Sequence, residues 1–167
     1  MTGGTVRRAL PGGPDRDGAD DRMRELLALP DPGPVARHLA LLHFTGRRSG
    51  RPYTVPAGVH RLDGGLVVAT GSGWRHNFAG GAAGELTWQG LRGPVRFRLD
   101  GDAERTARGY LELYRRYGDA AGRRLGVVVT AVPDLAAFRA AVAADGLALV
   151  DVVPEAGTWG PAAGERP

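Results

Sequence analysis

The chain has 167 residues, a length suited to one hydrophobic core, and carries 22 basic residues, every one an arginine, against 18 acids. Without lysine there is no Schiff-base nitrogen, P-loop lysine or lysine base, and without cysteine there is no disulfide, thiol nucleophile or cysteine-held metal. The net charge of +4 is uneven: residues 1–34 hold five arginines and six acids, whereas residues 43–98 hold eight arginines against Asp63 and Glu85, so an anionic partner is drawn to the middle of the chain.

Residues 1–34, with "PGGPDRDGADD" and "PDPGP", read as a mobile N-terminal arm interrupted by a short helix at about Asp20–Leu29. The paired arginines of "VRRALPGGPDRDG" have no apolar stretch behind them, and no run approaches the roughly 20 residues that cross a bilayer. A soluble, cytoplasmic protein without a membrane span is expected, with one domain over residues 35–155 and a tail over residues 156–167.

From Val35 onward, "HLALLHF", "YTVPAGVHR", "GLVVATG", "ELTWQG" and "PVRFRLD" are short β-prone segments punctuated by "SGRP", "LDGG", "AGGAAG" and "RGP". Such spacing predicts an antiparallel meander or barrel rather than a parallel sheet. "VRFRLD" alternates Val95, Phe97 and Leu99 with Arg96, Arg98 and Asp100, a strand with one wet face. In "AERTARGYLELYRRYG" the period changes: Ala103, Ala107, Tyr110, Leu111, Tyr114 and Tyr117 recur at offsets of three and four, predicting an amphipathic helix ended by Gly118. Asp100, Asp102 and Glu104 sit where carboxylates cap such a helix. A further helix is predicted over Asp134–Ala144, then a closing strand, "LALVDVVP". The fold class is α+β, a β-barrel-like core with two or more helices.

Two segments carry chemistry. In "TGRRSGRP" the glycines and Pro52 reverse the chain tightly and present Arg47, Arg48 and Arg51 from one turn, with no acid nearby. Arginine forks bind phosphate or carboxylate, and turn amides add donors; read alone, the same stretch is also a solvated hairpin tip. After the apolar strand "GLVVAT", the loop "GSGWRHNFAGG" offers Gly71, Ser72 and Gly73 for close backbone approach and Arg75, His76 and Asn77 beside Trp74. An aromatic face and an arginine at one strand end suit a flat ring with an anionic tail. A dinucleotide fingerprint does not fit, because His76 stands where its third glycine belongs. His38 and His43 are expected on opposite sides of a strand-like run, so no metal site is expected, and His60 is expected to be exposed after a strand.

The series "FTGRRSGRPYTVPAG", "GLVVATG" and "WRHNFAGG" resembles the deazaflavin-dependent nitroreductase and quinone reductase family, whose members carry a T-G-R-K/R-S-G-x-P turn, an apolar strand and a W-x-x-N-L/V/F segment in that order. The resemblance covers roughly residues 36–99. It implies a split β-barrel, as in the flavin-binding split-barrel superfamily, that binds coenzyme F420, an 8-hydroxy-5-deazaflavin. Arg47, Arg48 and Ser49 would then contact the coenzyme's phosphate and polyglutamate tail. Ala69, Thr70, Gly71, Ser72 and Gly73 would lie along its ring and ribityl portion, and Trp74, Arg75, His76 and Asn77 would help to form the pocket. Tyr53 stands where many members have a basic residue, and Arg51 is the residue that can supply that charge.

The activity implied is hydride transfer from the reduced deazaflavin to an activated C=C bond, quinone, nitro group or imine. Substrate-side tyrosines on the helix after the barrel point to Tyr114 and Tyr117 as proton or hydrogen-bond donors, with Ser72 a third candidate. Split barrels also bind flavin mononucleotide (FMN) or handle haem, which is the alternative within the fold, and the family's barrels often pair as homodimers. A basic barrel that binds nucleic acid without catalysis is a further reading of "TWQGLRGPVRFR". The modest charge excess and few aromatics argue against it, so a small-molecule acceptor is the expected partner.

Overall fold

The computed structural model describes residues 4–9, 15–29, 31–155 and 159–161. In chain order the elements are β1 (Thr5–Arg8), α1 (Asp15–Leu27), β2 (Leu39–Thr45), β3 (Pro52–Leu62), β4 (Gly65–Thr70), β5 (Ala82–Trp88), β6 (Leu91–Leu99), α2 (Ala103–Tyr117), α3 (Ala121–Leu125), β7 (Val127–Thr130), α4 (Leu135–Asp145), β8 (Ala148–Pro154) and β9 (Gly160–Pro161).

Side-chain alternation builds the centre. β2 sends Ala40, Leu42 and Phe44 inward and Leu41 and His43 outward; β8 sends Val150 and Val152 inward and Leu149 outward. Each neighbour is antiparallel, in the order β5-β2-β3-β4-β8-β6, and β6 pairs back onto β5, so the six strands close into a barrel without a free edge. The barrel is filled by those inward residues together with Val59, Val68, Leu86, Val95 and Phe97. Two hairpins are set locally. Asp63 and Gly64 both have positive φ (53° and 77°), as do Gln89 and Gly90 (53° and 81°), the backbone that tight two-residue turns require.

A second core lies outside the barrel, where α2 and α4 cover the outward faces of β3, β4 and β8. Tyr110, Leu113 and Phe138 pack there on Leu62, Val67 and Leu149, and the Tyr110 hydroxyl donates to the Ala148 carbonyl at 3.3 Å. α2 approaches closely at Gly109, where a Cβ would fall 2.8 Å from both Leu62 and Leu149 methyls. The expected cap is present: the Asp102 carboxylate accepts from the Glu104 and Arg105 amides at 3.0 and 3.1 Å. Arg105 ties this helix start to Asp100 and Asp151 at the barrel rim. The α+β split-barrel class read from the sequence is therefore the one observed. Among the described residues no helix is long and apolar enough to cross a membrane.

The amino-terminal region differs from the expected arm. Thr5–Arg8 pairs antiparallel with β7, Val6 opposite Val129, and Val6 is buried. A four-residue strand with one buried side chain leaves almost no periodic signal, and its partner lies more than 120 residues away. The helix begins at Asp15 rather than Asp20, and its Leu27 packs against Ala36 and Leu41. The helix expected over Asp134–Ala144 runs from Leu135 to Asp145. In the predicted tail, Gly160–Pro161 add to β6 and Trp159 lies over Gly93; residues 156–158 and 162–167 fall outside the described residues.

Candidate functional site

The β2–β3 turn is locked by its own backbone. The Gly46 amide donates to the Arg51 carbonyl at 2.8 Å and the Gly50 amide to the Gly46 carbonyl at 2.9 Å, with Gly50 at φ 69°. A Cβ on Gly46 would come within 2.6 Å of Ser49 Oγ and 2.7 Å of the Tyr53 ring, so the turn closes around hydrogen. Ser49 Oγ accepts from the Arg51 amide at 3.2 Å, which uses its hydroxyl within the turn. Arg47 and Arg48 are exposed, and neither is in an ion pair among the described residues.

The turn is joined to the second motif segment thirty residues later. The Arg47 amide donates to Asn77 Oδ1 at 2.9 Å, and Asn77 Nδ2 donates to the Trp74 carbonyl at 2.9 Å. Asn77 belongs to a 3-10 turn, Gly73–Phe78, anchored by fully buried Phe78 against Phe44 and Phe97 at ring separations of 4.9 and 4.8 Å. Arg75 clamps the preceding bend by donating to the Gly71 and Ser72 carbonyls at 3.1 and 2.9 Å.

Two cavities border this assembly. The first, about 560 Å³, has Arg47, Arg48 and His76 as its polar rim and Phe44, Tyr53 and Trp74 as its aromatic wall. Tyr53 stacks on Phe44 at 5.6 Å. The second, about 670 Å³, is lined by Ala69, Thr70, Gly71 and Ser72, by Pro56, Ala57 and Gly58, and by Arg8, Arg123 and Arg124. They adjoin twice: Val55 borders the first and Pro56 the second, and Gly73 borders the first and Ser72 the second. Both volumes lie in the range of small-molecule sites.

The structure brings Arg47, Arg48, Ser49, Gly73, Trp74, His76 and Asn77 to the first cavity and Ala69, Thr70, Gly71 and Ser72 to the second. Arg51 borders neither, and Arg75 is occupied by the bend's carbonyls. Tyr114 lines a separate cleft beside Gly118 and Asp119 and packs on Phe138. The Tyr117 hydroxyl is bonded to His60 Nδ1 at 2.6 Å, and the Arg124 guanidinium covers the Tyr117 ring at 3.6 Å. Sequence reasoning missed Phe44 and Val55 in the first cavity and Arg8, Arg123 and Arg124 in the second. Tyr53 had been visible only as a departure from the family pattern. The segment read as a nucleic-acid face is partly self-satisfied, with Arg92 paired to Glu85 at 2.7 Å and Arg61 stacked on Trp88.

His60, expected to be exposed after a strand, lies within β3 and is only 3% exposed. Burial, then the charges of Arg124 and Arg116 and the neighbouring His38, lowers its pKa to about 4. His43, held between Thr54 and Thr87 hydroxyls at 3.1 and 2.6 Å, is likewise lowered to about 4, by burial and then Arg92. Both imidazoles are neutral in the fold and titrate near 6.5 when unfolded, so the unfolded chain binds more protons below that value. Stability is therefore complete above pH ~6.5 and is lost as the pH falls toward 4, by roughly 2 to 3 kcal/mol for His60. Urea melts at descending pH check this, with His60→Gln giving a shallower loss; a wild-type midpoint constant across the window contradicts it.

No family model matches the sequence, and no curated protein matches it. Among solved structures the chain is similar to the heme storage protein HutZ from Vibrio cholerae, at 14% identity over 84% of this chain and 92% of that one, with a TM-score of 0.45. It is also similar to the FAD and heme binding protein from Mycobacterium smegmatis, at 21% identity over 83% of this chain and 68% of that one, with a TM-score of 0.41.

Proposed function

We propose that this protein is a reductase that transfers a hydride from reduced coenzyme F420 to an electrophilic small molecule: an activated C=C bond, a quinone, a nitro group or an imine. The observation that carries this reading is the bond from the Arg47 amide to Asn77 Oδ1, which joins the two motif segments around one cavity with a cationic rim and an aromatic wall. The residues fit the coenzyme's chemistry. Arg47 and Arg48, in no ion pair among the described residues, suit its phosphate and carboxylate tail, and Phe44, Tyr53 and Trp74 suit a flat conjugated body. The glycine-rich bend leads from there toward the second cavity, which is open to the ring and to an acceptor beside it.

When bound and reduced, the coenzyme would supply a hydride, one proton with two electrons, and the acceptor would take up one further proton. The chain's share would be to hold the reacting atoms together, with Ser72 beside the second cavity as a hydrogen-bond donor to developing negative charge and Pro56 and Ala57 as apolar lining that excludes water. Tyr117 serves this reading indirectly, because its hydroxyl is engaged by His60.

Titration of the purified protein with oxidised deazaflavin coenzyme and, in parallel, with FMN tests the proposal through tryptophan fluorescence. Micromolar binding of the deazaflavin in preference to FMN is expected. Preferential FMN binding would keep the site and replace the cofactor, and binding of neither sinks the reductase reading.

A further inference from the structure

The second cavity has a charge pattern beyond what packing a flat ring requires. Three arginines reach it from two separate parts of the chain, Arg8 from β1 and Arg123 and Arg124 from α3, and among the described residues no carboxylate lines it. Several arginines elsewhere are matched: Arg7 with Asp145, Arg105 with Asp100 and Asp151, Arg116 with Glu112, Arg139 with Glu104. Arg8, Arg123 and Arg124 form no ion pair among the described residues. Like charges gathered together repel, and the excess reaches His38 at the same cavity, whose pKa is lowered by burial and then by Arg124 and Arg37.

Two of these arginines, Arg8 and Arg124, are also held in place. The Arg8 amide donates to Asp145 Oδ2 at 2.8 Å, and its side chain crosses so close to Gly71 that a Cβ there would fall 2.6 Å from Arg8 Cδ. Arg124 rests on the Tyr117 ring, and that ring is pinned by the hydroxyl bond to His60. A guanidinium held before binding loses little rotamer entropy when an oxyanion arrives. Between the cations the lining includes the apolar side chains of Leu39, Pro56, Ala57 and Leu125.

We propose that the second cavity recognises an anionic acceptor, a flat apolar molecule bearing a carboxylate or phosphate, whose oxyanion is held by Arg124 together with Arg8 and Arg123. This rests on the reductase reading for the role of the bound molecule, while the oxyanion site itself can be measured without coenzyme. Tyr117 is a positioning residue here, acting through Arg124.

Calorimetric titration of the coenzyme-free protein with cinnamate, methyl cinnamate and phenyl phosphate tests it. The anions are expected to bind about tenfold or more tightly than the ester, and Arg124→Gln and Arg8→Ala are each expected to weaken them by about tenfold while leaving the ester unchanged. Rising salt should weaken only the anions, and the tighter of cinnamate and phenyl phosphate identifies the group preferred. Thermal melts check that the variants fold, and Tyr117→Phe, which keeps the ring but frees it from His60, should give an intermediate loss. Equal binding of acid and ester, or no response to the arginine variants, overturns the proposal. So does loss of deazaflavin binding in Arg124→Gln with no anion binding to the wild type, since the cavity would then serve the coenzyme. Anion binding that follows Arg8 and Arg124 in a protein that ignores the deazaflavin leaves this site standing and removes the reductase reading alone.

Discussion

Replacing Arg47 and Arg48 together by alanine is expected to weaken binding of the oxidised deazaflavin coenzyme by about 2 to 4 kcal/mol, the range for losing two charge-assisted contacts. Both guanidiniums are exposed, so the loss should shrink as salt rises. The substitutions leave the turn in place, because the bond that joins it to Asn77 is donated by the backbone amide of residue 47 and the closing bonds belong to Gly46 and Gly50. A weakened complex can therefore be attributed to the lost charges. Fluorescence titration of the double variant decides it: affinity equal to the wild type would return the turn to a solvated hairpin tip.

Phe78→Ala is expected to destabilise the protein by about 3 to 5 kcal/mol, the range for truncating a buried phenylalanine. Its ring is 0% exposed, meets Phe44 edge-on at 4.9 Å and lies 4.8 Å from Phe97, so truncation opens a void among residues that cannot all move to fill it. The site should suffer as well. Trp74, 6.0 Å from the Phe78 ring, loses one of its aromatic neighbours, and Asn77 is adjacent in the same turn. Urea denaturation measures the first effect, and the tryptophan emission spectrum, compared with that of Trp74→Phe, the second. A loss below about 1 kcal/mol would mean that the turn is held by its hydrogen bonds rather than by this anchor.

Features decided within a few residues were legible in the sequence. "LDGG" marked a tight hairpin because Asp63 and Gly64 accept positive φ at little cost. The spacing of Ala107, Tyr110, Leu111 and Tyr114 marked α2 because one helical face repeats every three to four residues, and Asp102 marked its start. "VRFRLD" marked a barrel strand by alternation. The two chemistry-bearing segments were legible for the same reason, since glycines, a proline and clustered arginines make a rigid cationic turn whatever surrounds it.

Contacts between distant segments were decided by the tertiary structure alone. β1 finds β7, β5 finds β2 and β8 finds β6, through pairings whose return depends on burying faces that no short window displays. His60 is buried because α2 brings Tyr117 over β3, a packing event invisible from the neighbours of His60 in sequence. Arg8 and Arg124 share a cavity although more than a hundred residues separate them, while Tyr114, on the same helix as Tyr117, opens onto a different cleft. By itself the sequence determined the parts that depend on local geometry: the turns, the strand and helix periods, the caps and the cationic loop. Which parts meet, and so which arginines stand together around a ligand-sized space, was decided only when the barrel closed and the helices covered it, because burial and charge convergence are properties of the assembled surfaces.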